Sequence, residues 1–285
     1  MEELKQSMPS PLDSCNLLVI DGDSIPFILG WHNREHTEVE LIYTAIDNWM
    51  NDFLLITGAP RFIGILAAPE SHCFRYALYK YKPYKGNRPP AEPWIEYWGP
   101  IIRKYLVTKW HFKYAPDYLE TDDVVATLAF GNPAAIICSP DKDLRQIPGY
   151  FYNYKDFGGE KHKGLETVDS KQARRNLYYQ LLVGDTTDNI AGVANMGPVK
   201  ADKLLNETNP MLWNNAVKMA YEKQYGPHYG DIIYQQTLET IQMVTPEHPL
   251  WKKFSFPLED YMAAIRNSED YVRSICREVE REAFV

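Results

Sequence analysis

Carboxylates carry most of the chemistry this sequence could perform, and they come in short, regularly spaced groups. Asp21 and Asp23 close the run LLVIDGDS, Glu120, Asp122 and Asp123 form ETDD, Asp141 and Asp143 lie in SPDKD, and Asp185 and Asp188 lie in GDTTDN. Acids on alternate residues after a strand, or in the first turn of a helix, can converge on one cleft. Two like charges about 4 Å apart cost on the order of 4 kcal/mol at an effective dielectric of about 20. A divalent cation removes that repulsion, and hard carboxylate oxygens suit Mg²⁺ or Mn²⁺. Each group alone has a plainer use, because first-turn acids complement a helix dipole and aspartates after strands form Asx turns or caps. Their joint occurrence on one chain points to metal-dependent phosphate chemistry.

The basic residues are placed to match. The net charge is −8, from 30 Lys/Arg and 38 Asp/Glu, which argues against a general nucleic-acid coat protein. Yet nine Lys/Arg lie between Arg75 and Lys113 against two acids, Glu92 and Glu96. A basic segment beside an acidic cluster suits a polyanion held near metal ions, although a solvated charged face would look the same. Within it, residues 70–93 are broken by Pro83, Gly86, Pro89, Pro90 and Pro93, which predicts a long exposed functional loop, partly helical.

These groups need elements to hold them. LLVID reads as a strand buried on both faces, with Asp21 at its carboxyl end, where open α/β sheets place ligands. Val39, Ile42, Tyr43, Ile46, Met50 and Phe53 recur at helical spacing, and Thr37 with Glu40 reads as a capping box. A second strand is expected at 61–68, a helix near 94–107, a strand near 110–115 and a helix from about Glu120. Further strands are expected at 134–139 and 150–154, and a helix from Ser170. Alternation then stops, and the chain from Ile190 onward reads as helical, punctuated by Gly192, Gly197 and Pro198. The expected architecture is a mostly parallel α/β sheet flanked by helices, followed by a helical region. Residues 1–14 are expected as a loose tail, 15–183 as the sheet domain and 184–285 as the helical region.

Composition bounds the class. The chain is 45% hydrophobic and 24% charged, ordinary for a globular protein. No apolar stretch approaches the roughly 18 to 20 residues that span a bilayer, and the first residues lack an apolar signal core. Cys15, Cys73, Cys138 and Cys276 form no CxxC pair, so they are expected as reduced thiols in a cytoplasmic protein rather than as zinc ligands.

Two families resemble this pattern. Asp21, Asp23, Ser139 and Gly184–Asp185 fit the outline of a haloacid-dehalogenase-type phosphatase. That outline leaves Asp141, Asp143 and the Glu120 group without work, and it expects the closing acids four apart, whereas Asp185 and Asp188 are three apart. ETDD, SPDKD and GDTTDNIAGVANMGPVKADKLL instead resemble the E-A-D-D, S-x-D-x-D and GD-x-x-DNIPGV-x-GIG-x-K-T-A signatures of the 5′-nuclease superfamily. FRYALYKYKPYKGNR resembles its FR-x-x-x-x-P-x-YK-x-xR segment. That superfamily includes phage 5′→3′ exonucleases, the 5′-nuclease domain of bacterial DNA polymerase I, and flap endonucleases. The matches run in order from residue 17 to about 205.

The resemblance implies a PIN-like (resolvase-like) α/β domain and a helix–three-turn–helix element of the helix-hairpin-helix type. It implies two divalent ions, Mg²⁺ or Mn²⁺, on Asp21, Glu120, Asp122, Asp141, Asp143, Asp185 and Asp188, with Asp123 close by and catalytically relevant. It makes residues 70–93 an arch or gateway over the active site. There Arg75, Lys85 and Arg88 would steer the scissile phosphodiester, and Tyr84 would stack on a base. Gly192 and Gly197 would permit tight turns before a phosphate-binding helix start, aided by Lys200 and Lys203, often with K⁺. The implied substrate is DNA with a 5′ flap, nick or free 5′ end, or an RNA primer on DNA. The implied protein is a monomeric, stand-alone nuclease of a bacterium or phage-infected cell. A non-catalytic binder of branched DNA remains the other alternative. Asp23 is expected to cap the turn after its strand. Ala68 stands where the family has an aspartate at the end of the second strand, and Glu70 is expected to compensate in part.

Overall fold

In the computed structural model, residues 16–156 and 164–282 are described, the side chains of 276 and 278–282 excepted. The expected tail at 1–14, Cys15 and the Cys276 thiol lie outside the described residues. The opening apolar run forms β1 (Leu17–Asp21), buried along its whole length. Strands alternate their side chains between two faces, and β1 does so between two cores. Leu18 and Ile20 enter one, and Leu17 and Val19 enter the other.

Five further strands build the sheet: β2 (Phe62–Leu66), β3 (Lys113–Tyr114), β4 (Ala135–Cys138), β5 (Gly149–Tyr152) and β6 (Leu165–Val168). Their order is β3-β2-β1-β4-β5-β6, parallel except for the antiparallel edge strand β6. The chain leaves β1 toward β2 on one side and toward β4 on the other. The carboxyl end of β1, where Asp21 sits, is therefore the point at which strand order reverses and a crevice opens.

Helices cover both faces. One face takes α1 (Ser24–His32), α2 (Val39–Thr57) and α4 (Pro93–Lys109), whose Ile25, Ile46, Met50, Trp98 and Ile102 pack on Leu18 and Ile20. The other takes α5 (Thr121–Ala129), whose Val124, Val125 and Leu128 pack on Val19 and Ile137. Between β2 and α4 the chain makes only the short α3 (Phe74–Leu78) and a series of turns. After α6 (Ser170–Val183), a two-residue ribbon of β7 (Gly184–Asp185) and β8 (Ile190–Ala191) leads into α7 (Pro198–Glu207), α8 (Trp213–Tyr225) and α9 (Pro227–Ile241). These helices form a third core around Leu181, Leu205, Trp213, Tyr221 and Tyr234.

Four expectations change. SIPFILGWH, for which no element is expected, forms α1, and β6 is likewise an additional strand. The capping box at Thr37 does not form, since α2 is entered from Glu38 without a side-chain cap bond. The boundary at 183/184 does not divide the cores. α10 (Leu258–Glu282) returns to the sheet, placing Tyr261 and Ile265 in one sheet core and Val272 and Ile275 in the other. Ser268 Oγ there accepts a hydrogen bond from the Phe62 amide at 3.0 Å. Among the described residues no helix is long and apolar enough to cross a membrane. Cys73 and Cys138 are buried free thiols, as expected.

Candidate active site

The carboxyl edge of the sheet opens into a cleft of about 410 Å³ bordered by Asp21, Glu120, Asp122 and Asp141. Each acid is delivered by a strand end or helix start. Asp21 closes β1 and is 5% exposed. Its Oδ2 accepts from Ser139 Oγ at 2.7 Å and its Oδ1 from the Asp23 amide at 3.1 Å. The Tyr154 hydroxyl donates to the Asp21 carbonyl at 2.7 Å, fixing the strand end from below. Ser139, at the end of β4, also accepts from the Asp141 amide at 2.9 Å, and Asp141 Oδ1 accepts from the Asp143 amide at 2.8 Å. Asp185 Oδ1 accepts from the amides of Thr187 and Asp188 at 2.8 and 3.2 Å. Asp21 and Asp141 thereby border the cleft with Glu120 and Asp122, whereas Asp143, Asp185 and Asp188 lie behind its lining residues.

The electrostatics match a site that wants cations. Burial, then the charge of Asp23, pushes the Asp21 carboxyl up to about 7. Burial, then Asp141, does the same to Asp143, to about 7. Burial also raises Asp141, and burial with Asp123 and Glu120 raises Asp122 far above the carboxylate range. Asp185 goes the other way: burial opposes its charge, but Lys142 and two amides hold it below the usual value.

Basic side chains are interleaved with the acids. Lys85 pairs with Glu120 and lies 3.9 Å from Asp188, and Arg88 reaches Asp188 at 2.7 Å. Lys142, which sequence reasoning passed over, bridges Asp143 at 3.7 Å and Asp185 at 3.3 Å. With these pairs in place, no group of three or more acidic, histidine or cysteine side chains among the described residues stands ready to hold a metal ion. The donor set nonetheless fits hard divalent cations: several carboxylates, buried or half-buried, raised by burial first and by neighbouring acids second.

Several expected contacts fall elsewhere. Arg75 cannot reach a phosphate. It is 2% exposed, its Nη2 donates to Asp123 Oδ1 at 2.7 Å, and its Nε donates to the Thr240 carbonyl at 2.7 Å. Asp123 is likewise fully buried, accepting from the Val244 amide at 3.0 Å and the Glu120 amide at 3.1 Å. It serves as the counter-charge that locks α3, α5 and the end of α9 together. Burial disfavours its charge, yet Arg75 and these amides keep it below the ordinary carboxylate value. Tyr84 cannot stack on a base, because its ring is in the helical core and its hydroxyl bonds Glu120 at 2.7 Å and Asp188 at 3.0 Å. Residues 70–93 are thus an anchored strap rather than an exposed loop throughout.

Asp23 makes no cap bond. Its Oδ1 accepts from the Ala67 amide at 2.8 Å and from Arg103 at 3.0 Å, and its Oδ2 accepts from Thr121 Oγ1 at 2.6 Å. The carboxylate at the end of β2 is therefore that of Asp23, while Glu70 is exposed. Among the glycines, Gly192 is required by close approach, since a Cβ there would lie 2.4 Å from the Leu182 carbonyl. Gly197 has ordinary φ (−77°) and open space around it, so it leaves the start of α7 clear rather than making a turn possible. The left-handed residue of that turn is Asn195 (φ 57°), whose carbonyl accepts from Lys200 Nζ at 2.8 Å. Lys200 and Lys203 are exposed beside it.

A parallel sheet with acids on its carboxyl edge, a basic strap across them and a helical element beyond defines a nuclease-type α/β protein. The chain is 29% identical over 196 residues to a flap endonuclease Xni of Shewanella baltica, covering 66% of this chain and 73% of the relative. It is 23% identical to a 5′-3′ exonuclease of Mycoplasma pneumoniae across 95% of this chain and 93% of that one. In fold it resembles the bacteriophage T5 5′-exonuclease with zinc bound, at TM-score 0.60 and 16% identity over 92% of this chain and 98% of the other. No protein-family model matches the chain. The chain is thus similar in sequence to flap endonucleases and 5′-3′ exonucleases, and in fold to a phage 5′-exonuclease.

Proposed function

We propose that this protein is a divalent-metal-dependent 5′→3′ nuclease that hydrolyses DNA phosphodiesters at 5′ flaps, nicks or free 5′ ends. The observation that carries the reading is the cleft itself, where buried acids with raised pKa values face Lys85 and Arg88. Asp21, Glu120, Asp122, Asp141, Asp143, Asp185 and Asp188 would hold two ions, Mg²⁺ or Mn²⁺. Bound there, the ions supply charge neutralisation and activation of the attacking water.

The chain's own residues supply the rest. Lys85 and Arg88 are paired with Glu120 and Asp188, and the same ammonium and guanidinium can transfer to the non-bridging oxygens of a scissile phosphodiester. Binding of substrate then exchanges an internal carboxylate partner for an external phosphate, freeing Glu120 and Asp188 for their other task. The strap is rigid enough to aim Lys85, because Tyr84 beside it is rooted in the helical core and the Lys85 amide donates to the Asp188 carbonyl at 2.9 Å. Asp123 and Arg75 fix the framework and touch no substrate.

Farther out, the exposed Lys200 and Lys203 at the start of α7 would grip duplex phosphates, with K⁺ as a further ligand of that turn. Such contacts read backbone and strand ends, not sequence, so RNA primers on DNA are included among the substrates. We place the protein in the cytoplasm as a monomer. The phosphatase reading loses its footing, since the named relatives are nucleases.

The test is cleavage of a fluorescently labelled 5′-flap DNA with Mg²⁺, Mn²⁺ or EDTA, run beside an aryl phosphate monoester. Metal-dependent release of the flap with no monoester turnover is expected. Monoester turnover alone would restore the phosphatase, and tight flap binding without cleavage would leave a DNA-binding protein.

A further inference from the structure

Lys85, the strap cation paired with Glu120, has a backbone that lysine rarely adopts. Its φ is 54°, in the left-handed region, within a turn that the Gly86 amide closes on the Pro83 carbonyl at 3.0 Å. Turns with positive φ at that position ordinarily place glycine or asparagine there, because a Cβ crowds the following carbonyl. Here the glycine comes one residue later. A disfavoured conformation of this kind persists only where its surroundings over-determine it.

The surroundings that do so are residues 186–189, the loop between β7 and β8. Three hydrogen bonds cross from the strap to this loop in antiparallel register. Asn189 Nδ2 donates to the Pro83 carbonyl at 2.8 Å, the Lys85 amide donates to the Asp188 carbonyl at 2.9 Å, and Asn87 Nδ2 donates to the Thr186 carbonyl at 2.6 Å. The middle bond joins backbone to backbone. The outer two are made by asparagine side chains, one sent from each segment to the other. Asn189 is itself left-handed, with φ 58°, a conformation that asparagine tolerates better than most residues. Neither asparagine borders the cleft and neither carries charge, so phosphate chemistry has no direct use for them.

We infer that Asn87 and Asn189 form a clasp that holds Lys85 in its left-handed backbone and thereby sets where its ammonium meets the scissile phosphate. This rests on the nuclease reading above. The clasp joins the strap to the segment that carries Asp185 and Asp188, so the cation and these acids are held as one unit. Both asparagines are positioning residues: they act through Lys85 and touch neither phosphate nor metal.

The experiment compares the parent with Asn87→Ala, Asn189→Gly and the double variant. Glycine keeps the left-handed backbone at residue 189 and removes only the side-chain donor. Single-turnover cleavage of a 5′-flap duplex is followed in Mg²⁺ at saturating enzyme, duplex affinity is titrated in Ca²⁺, and hydrogen exchange is measured without DNA or metal. A displacement of about 1 Å can cost about a hundredfold, so the double variant is expected to cut about tenfold to about a hundredfold more slowly. Its duplex affinity should match the parent's. Exchange should quicken over residues 83–88 while β1 and β4 keep the parent's protection. In a Lys85→Ala background the same two substitutions should slow the cut no further, since a clasp acting through Lys85 has nothing left to position. Independent, multiplying losses in that cycle overturn the assignment, as do the parent's rate and exchange in the double variant. If the parent binds the flap and never cuts it, the nuclease reading fails, and the exchange comparison still decides whether the clasp holds the strap.

Discussion

Replacing Asp21 by Asn should make the metal-free protein more stable while disabling it. The Asp21 carboxyl is raised from 3.8 to about 7, with burial and then Asp23 as the causes. A shift of roughly three units corresponds to about 4 kcal/mol charged against the folded state once the group ionises, at about 1.4 kcal/mol per unit. The folded pKa lies above the unfolded one, so this part of the stability is fully present at low pH, below about 4. It is lost as pH rises through about 7. Asn removes the charge and keeps the acceptor for the Asp23 amide. Ser139, which now donates to Asp21 and accepts from Asp141, must turn its hydroxyl, at about 1 kcal/mol for a rearranged hydrogen bond. The net gain at about pH 8 is then about 2–3 kcal/mol, or roughly 4–8 °C in melting temperature for a chain this long. Thermal unfolding in EDTA at about pH 5 and about pH 8 measures it, and Mg²⁺ should raise the parent's midpoint more than the variant's. If Asp21→Asn melts at or below the parent at the higher pH, with the same pH dependence, the carboxylates are not the strained cluster described above.

Asp141→Asn or Asp185→Asn should lose most flap cleavage with unchanged circular dichroism, and full activity in both would remove the acids from the mechanism. Lys85→Ala should slow single-turnover cleavage more than it weakens duplex binding, whereas Lys200→Ala should weaken binding and lower its salt slope by about one. An unchanged single-turnover rate in Lys85→Ala would show that the strap does not act on the phosphate. Asp123→Asn leaves Arg75 buried without its counter-charge and should cost about 3–5 kcal/mol, equally in EDTA and in Mg²⁺; a loss seen only with Mg²⁺ would make Asp123 a metal ligand instead. Ala68→Asp adds a carboxylate at the end of β2 and should lower the Mg²⁺ needed for half-maximal cleavage, and a titration overlying the parent's would place that side chain away from the ions.

What the sequence made legible follows its physical signals. LLVID and AIIC declare themselves because a strand buried on both faces must be continuously apolar, and the acids after them inherit a known position at the sheet edge. α1 is hidden because SIPFILGWH carries a proline and a glycine and has no polar face to set a period. β6 is an edge strand with a half-exposed pattern that resembles a loop. Charge misled at Arg75: in sequence it belongs to a basic run, and only the tertiary arrival of Asp123 from α5 makes it a buried residue. Tyr76 and Tyr84 are the same residue type eight positions apart in one segment. Which of them faces inward depends on a core assembled from α6, α8 and α9, which local pattern does not report.

The return of α10 to the sheet bears on how the protein is made. The bond from the Phe62 amide to Ser268 joins residues 206 positions apart, and α10 supplies apolar side chains to both sheet cores. Contacts of such long range are slow to form, since a long chain must close before they stabilise anything. During synthesis, β1 and β2 emerge early, but the sheet edge beside β2 stays open to solvent until Leu258–Ile275 has left the ribosome. A polypeptide stalled before that point would expose unburied strand surface, a substrate for chaperones rather than a working enzyme. Vectorial folding thereby ties the closing of both sheet cores, and with them the cleft, to the synthesis of α10.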